Sequence, residues 1–326
     1  MAVYLEQRFL AMSRGTLIFN IGVTAALMLS TVSMPSAAQD KPVATFKSGV
    51  ELVRVSAVVR DKKGRFVQNL TIRDFEIFDA GLPRPITEFR KDTGAISVAL
   101  LFDVSGSMED RLEDARDAAR HLLSWLDQQQ DEVAVFTFDT RLSEVVPFTT
   151  GLKQLPSRLD TIEPFGATSL HDAIGETAER LEDRPGLRRA VVVFTDGVDT
   201  ASRRRPEEVS AVASAIDVPV YIFATVPGID NPTLEHNLIS ATPLPLAGEL
   251  ADLAAWTGGH TFVASIPATR SASAKQIVDE LRQLYLIAFA SSGRPGWHPL
   301  VVRARGKDLT VRARSGYHAG QSRPIS

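Results

Sequence analysis

Cysteine is absent from all 326 residues. That removes disulfide scaffolding, thiolate chemistry, iron–sulfur ligation and lipid attachment through an N-terminal cysteine. A large charge of either sign is also missing. The 36 Lys and Arg stand against 39 Asp and Glu, for a formal net charge of -3, and the Phe residues fall at strand spacing with no basic–aromatic stripe. No strong field draws such a chain onto nucleic acid. There is no Gly-Lys-Ser/Thr phosphate loop to hold a nucleotide, and no Gly-x-Ser-x-Gly nucleophile elbow. The histidines at 121, 171, 236, 260, 298 and 318 are scattered without ligand spacing. Helix-spanning apolar runs are missing too: Leu17 to Leu29 is thirteen residues, where a bilayer needs roughly 20.

That N-terminal run is better explained as a secretory signal. Arg8 and Arg14 precede it, and Ser36-Ala37-Ala38 supplies small residues for cleavage before Gln39. Retention as an uncleaved anchor is the alternative. A signal with no cysteine suits a bacterial periplasm or exterior, with no transmembrane span in the mature chain.

The remaining pattern changes twice. Val50 to Arg60 alternates as a half-buried strand, and Phe75–Phe78 and Ile86–Phe89 are further short strands around Gly81, Pro83 and Pro85. From Ile96, buried apolar runs alternate with helices: Ile96–Phe102, Val133–Phe138, Ala190–Thr195 and Val218–Ala224. Leu112, Ala115, Ala119, Leu122 and Leu126 recur at helical spacing. Further helices are expected at Leu170–Leu181, from Pro206, at Ala251–Trp256 before Gly258-Gly259, and at Ala272–Leu284. Tyr285–Ala290, Leu300–Ala304 and Leu309–Ala313 then return to strands. The pattern predicts an α/β, Rossmann-like domain with a mostly parallel central sheet and helices on both faces. It is inserted in a small all-β unit formed by the two flanks, because neither flank alone has enough apolar surface for a core. The expected limits are 1–38 for the signal, 39–94 for the N-terminal β part, 95–284 for the α/β domain, 285–318 for the C-terminal strands and 319–326 for the tail.

One short run carries chemistry. Strand Ile96–Phe102 ends on Asp103, and Ser105 and Ser107 follow at alternate positions. A carboxylate and two hydroxyls spaced by two on a turn can face one point, an all-oxygen nest suited to a small hard cation such as Mg²⁺. With no His or Cys in it, zinc, copper and iron are poor candidates. Thr168, on the loop before Leu170, and Asp196, after strand Ala190–Thr195, reach the same edge, outside the carboxyl ends of the strands. A Ser105–His171–Asp196 hydrolase would have to take two of these five residues, so the chain is read as non-enzymatic.

Asp103-Val104-Ser105-Gly106-Ser107, Thr168 and Asp196 together resemble the metal-ion-dependent adhesion site of von Willebrand factor type A domains, also found in integrins, over roughly Ala95 to Leu284. Leu70-Thr71, Asp74–Asp79 and Leu309–Tyr317 resemble a family of exported bacterial proteins built around such a domain. The resemblance implies that Ser105 and Ser107 bind Mg²⁺ (or Mn²⁺ or Ca²⁺) directly, and that Thr168 does so in the ligand-competent state. Asp103 and Asp196 would act through water. A protein ligand offering an Asp or Glu carboxylate would complete the site. His171, Arg203, Arg204 and Arg205 form a candidate partner-binding rim. The resulting expectation is an exported, cation-dependent adhesion-type module. The alternative is a structural or assembly factor of the cell envelope that binds through the β unit, the cation only ordering loops.

Overall fold

A computed structural model describes residues 52–91, 93–184, 186, 188–215, 217–225, 249–263 and 267–319. The expected signal, the start of the N-terminal β part and residues 320–326 lie outside the described residues.

The first four strands are β1 (Leu52–Asp61), β2 (Phe75–Asp79), β3 (Leu82–Arg84) and β4 (Ile86–Lys91). Next comes β5 (Ile96–Asp103), all eight residues of which are buried. It is followed by α1 (Leu112–Trp125), β6 (Glu132–Phe138), β7 (Leu142–Thr150), the single turn α2 (Ser157–Asp160), α3 (Leu170–Arg180) and β8 (Arg188–Thr195). The α/β part closes with α4 (Pro206–Ala215), β9 (Val220–Ala224), α5 (Glu249–Thr257), β10 (Thr261–Val263) and α6 (Pro267–Arg282). The C-terminal strands are β11 (Tyr285–Ala290), β12 (Gly296–Ala304), β13 (Leu309–Arg312) and β14 (Gly316–Ala319).

The central sheet has the order β10-β9-β8-β5-β6-β7 and is parallel except for β7, which runs antiparallel on β6. Both faces are covered, as continuous apolar strands demand. On one, Leu112, Ala115, Ala119 and Leu122 of α1 join Ile277 and Leu281 of α6 over Val98, Leu100 and Phe102. On the other, Leu170 and Ile174 of α3, Val209 of α4 and Leu253 of α5 cover Leu101, Val191 and Val193.

The flanks form one sandwich. Its sheets are β13-β1-β11-β4 and β14-β12-β2-β3, so each sheet draws strands from both ends of the chain. Val55, Ala57, Phe75, Ile77, Ile287 and Phe289 meet in a shared core. Glu280 of α6 ties this unit to the α/β part. Its buried carboxylate accepts from Arg60 of β1 at 3.0 Å, from Arg312 of β13, and from Gln276 one turn back at 3.1 Å.

Four strands were not legible in the sequence: β3, β7, β10 and β14. Each lies at the edge of its sheet, where an apolar alternation is least required. The last helix starts at Pro267, five residues before the predicted Ala272. Gly258-Gly259 ends α5 as expected, and the pair does more than stop a helix. Gly258 has φ +87, and a Cβ on Gly259 would stand 1.9 Å from the Val220 carbonyl oxygen, so the chain can cross β9 here only without a side chain.

Candidate functional site

The sheet changes direction of growth beside β5: the chain returns on one side as β6 and later on the other as β8. The carboxyl end of β5 is therefore the place where an open α/β sheet leaves a crevice. Three loops meet there, and backbone hydrogen bonds staple them together. Val104 N–H donates to Phe138 O at 2.9 Å, Phe165 N–H to Val104 O at 2.9 Å, and Gly106 N–H to Gly166 O at 3.2 Å. Thr200 and Ala201 N–H both reach Thr168 O, at 2.9 and 3.0 Å.

The structure does bring Asp103, Ser105, Ser107, Thr168 and Asp196 to this one edge, but it spends their charge internally. Asp103 is fully buried. Its Oδ1 accepts from Ser105 N–H at 2.9 Å and its Oδ2 from the Thr195 hydroxyl at 2.7 Å. Burial pushes the Asp103 carboxyl above its ordinary range, the bonds from Ser105 and Thr195 oppose the shift, and nearby Asp196 adds to it. The Asp196 side chain is 2 % exposed and its Oδ2 accepts from Arg111 Nη1 at 2.8 Å. Ser105 Oγ and Ser107 Oγ pair with each other at 3.2 Å.

These contacts correct the metal reading. Among the described residues there is no cluster of three or more His, Cys, Asp or Glu side chains that could hold a metal ion. Of the two carboxylates meant to supply the negative charge, Asp103 is taken up by Ser105 N–H and the Thr195 hydroxyl, and Asp196 by the Arg111 guanidinium. A divalent ion pays a large dehydration cost and needs charged oxygens to offset it. The complete adhesion site, Mg²⁺, Mn²⁺ or Ca²⁺ as cofactor, and the partner carboxylate that would finish its coordination are therefore not supported. The same finding removes the cation-ordered loops of the alternative assembly-factor reading.

Nor do Ser105, His171 and Asp196 combine as nucleophile, base and orienter. His171 is buried and its Nδ1 faces Asp199 Oδ2 at 3.3 Å, while Asp196 holds Arg111. Burial would raise the Asp199 carboxyl, but hydrogen bonds from Ser202 and from His171 N–H outweigh it and hold the group below its usual range. The expected rim is mostly absorbed into structure. Arg204 lies against Gly175 of α3 with Nη1 3.1 Å from Glu179 Oε1, and Arg205 pairs with Glu208 at 3.7 Å. Arg203 is exposed beside a groove of about 570 Å³ that Arg141, Ser169 and Asp172 also line.

Two apolar residues at this edge escaped sequence reasoning. Phe165 is 81 % exposed and Val198 is 52 % exposed. No sequence pattern marks a loop phenylalanine as solvent-facing; its neighbours Pro164 and Gly166 were the available hint of a loop tip.

Residues 98–198 match the family model of the von Willebrand factor type A domain, less than a third of the chain. A stretch of 134 residues is 26% identical to an uncharacterised protein of Borreliella burgdorferi, and the match spans 38% of this chain and 39% of that protein. Among solved structures, an aerotolerance-related membrane protein from Bacteroides fragilis is similar with TM-score 0.42 and 20% identity, over 57% of this chain and 98% of that one. A von Willebrand factor type A protein from Catenulispora acidiphila gives TM-score 0.44 and 11% identity over 85% and 76% of the two chains. The architecture itself, a mixed, mostly parallel sheet between helices with antiparallel β units beside it, is von Willebrand factor type A-like.

Proposed function

We propose that this chain is an exported, non-catalytic binding module that grips a protein partner through the loop edge beyond β5, by apolar contact and without a metal ion. The observation that carries this is Phe165, 81 % exposed on a loop whose backbone is fixed to Val104 and Gly106. An aromatic ring on a rigid loop is a low-entropy anchor, and such rings dominate protein interfaces when a partner pocket takes them. Val198, on the next loop of this edge, is a second exposed apolar residue. At this edge Asp196 already holds Arg111, and Ser105 pairs with Ser107, so a partner need not strip water from an uncompensated Asp196.

Export rests on the N-terminal layout of Arg8, Arg14 and the apolar run Leu17–Leu29. None of the described helices is long and apolar enough to cross a membrane.

A photoreactive phenylalanine analogue placed at 165 in the full chain tests the reading in cells. The expected result is a discrete protein adduct that forms equally with EDTA present, and none from the same analogue at exposed Arg180 on α3. Adducts of equal yield from both positions, or an adduct at 165 that EDTA abolishes, would overturn it.

A further inference from the structure

The outer face of the sandwich departs from the usual rule for a solvated sheet. Antiparallel sheets with one wet face alternate apolar inward and polar outward. Strand β12 alternates in burial as required, with His298, Leu300 and Val302 inward. Its outward residues, however, are Trp297, Pro299, Val301 and Arg303. Across the sheet, Val301 stands beside Phe78 of β2, and Phe78 beside Pro83 of β3. Trp297 is 40 % and Val301 45 % exposed. The indole lies against Gly316 of β14, where a Cβ would come within 2.1 Å of the ring. One face of Trp297 is thus seated on bare backbone, which fixes the ring as part of the plate.

The charge at the end of this plate is net positive, Arg303 and Arg305 against Glu76. Glu76 is the outward carboxylate opposite Arg303, but it accepts from Arg305, at 3.0 Å from Nε and 2.9 Å from Nη2. Arg303 instead lies over the Phe78 ring, 4.9 Å from its centroid. Among the described residues no carboxylate pairs with it. An apolar plate bearing Trp, edged by an arginine that keeps its charge, is the composition that seats on a lipid headgroup layer. Its size argues against a second copy of the chain. At about 3.4 Å per residue and 4.8 Å per strand the plate covers roughly 300 Å², well under the ~800 Å² per partner of a stable dimer.

We propose that the outer face of sheet β14-β12-β2-β3 docks peripherally on an anionic phospholipid surface, Trp297 and Val301 entering the headgroup layer and Arg303 meeting lipid phosphate. This surface is separate from the loop edge of the proposed function, and its test does not involve Phe165.

The experiment is sedimentation of the full chain with vesicles of phosphatidylglycerol and phosphatidylcholine, and with vesicles of phosphatidylcholine alone. Emission of Trp297 is followed in a Trp125→Phe, Trp256→Phe background. The expected result is binding to the anionic vesicles with a blue shift of Trp297, weakened on the order of tenfold by Arg303→Glu and similarly by Val301→Asp. Both substitutions sit on the exposed face, and unchanged circular dichroism shows that the variants fold. No binding to anionic vesicles, equal binding by all three proteins through their shared residues 1–38, or self-association that Val301→Asp abolishes without any lipid binding would each overturn the proposal.

Discussion

Arg111 Nη1 lies 2.8 Å from Asp196 Oδ2, joining the start of α1 to the end of β8 across 85 residues of sequence. This pair decides the chemistry of the loop edge. It gives Asp196 a monovalent cation of the protein's own, where the motif alone suggested a divalent one. The Asp196 side chain is 2 % exposed against 30 % for Arg111, so the carboxylate depends on the arginine more than the reverse.

Replacing Arg111 by Met should therefore destabilise the protein. Asp196 would keep the Val198 N–H, 3.3 Å from Oδ1, but lose its charged partner, at a cost on the order of 1–3 kcal/mol. Urea unfolding at neutral pH measures this. A variant as stable as the parent would show that the pair is solvated in solution.

Asp103 should behave as a structural acceptor. Its raised pKa means that the charged form is the costly one in the folded state. Stability from this group is thus greatest in acid and declines as pH rises through the folded value. Asp103→Asn keeps the shape and removes the charge, so it should stay within about 1 kcal/mol of the parent at neutral pH, while Asp103→Ala loses both hydrogen bonds and roughly 1–3 kcal/mol. Equal, large losses in both variants would contradict the structural role.

Glu280 titrates in the opposite sense. Burial would raise its carboxyl, but Arg312 outweighs that, helped by Gln276 and Arg60, and the group is held below its usual range. A depressed folded value contributes stability above the unfolded pKa of about 4.3, lost as pH falls through the folded value. Glu280→Gln leaves Arg312, whose side chain is 25 % exposed, without its counter-charge and should cost roughly 1–3 kcal/mol at neutral pH. The deficit should shrink in acid, where the parent loses the same charge. A difference independent of pH, followed by denaturant unfolding across the acid range, would place the cost in packing instead.

Much of the fold could be read from the chain because burial writes itself into composition. Ile96–Phe102 and Ala190–Thr195 are apolar without interruption, and both are interior strands. The sandwich was legible through a shortage: neither flank had a core of its own. Strand β7 was hidden by Pro147 and by its place at the edge, and β3 by Pro83. At the loop edge, the order of strand ends and loops was legible, and it is what places the five motif residues. What their oxygens do was not legible. That depends on Arg111, which enters from another element, and on the Thr195 hydroxyl, which a strand-end threonine does not advertise. Phe165 was missed for the converse reason, because a sequence shows an apolar residue and leaves its exposure to the packing around it.

Titration of Mg²⁺ into the purified full chain by isothermal calorimetry tests the central claim, a loop edge that works without a metal. The account predicts no saturable heat for the parent protein and the same melting temperature in EDTA as in Mg²⁺. Stoichiometric Mg²⁺ binding that disappears in Asp103→Ala would contradict it.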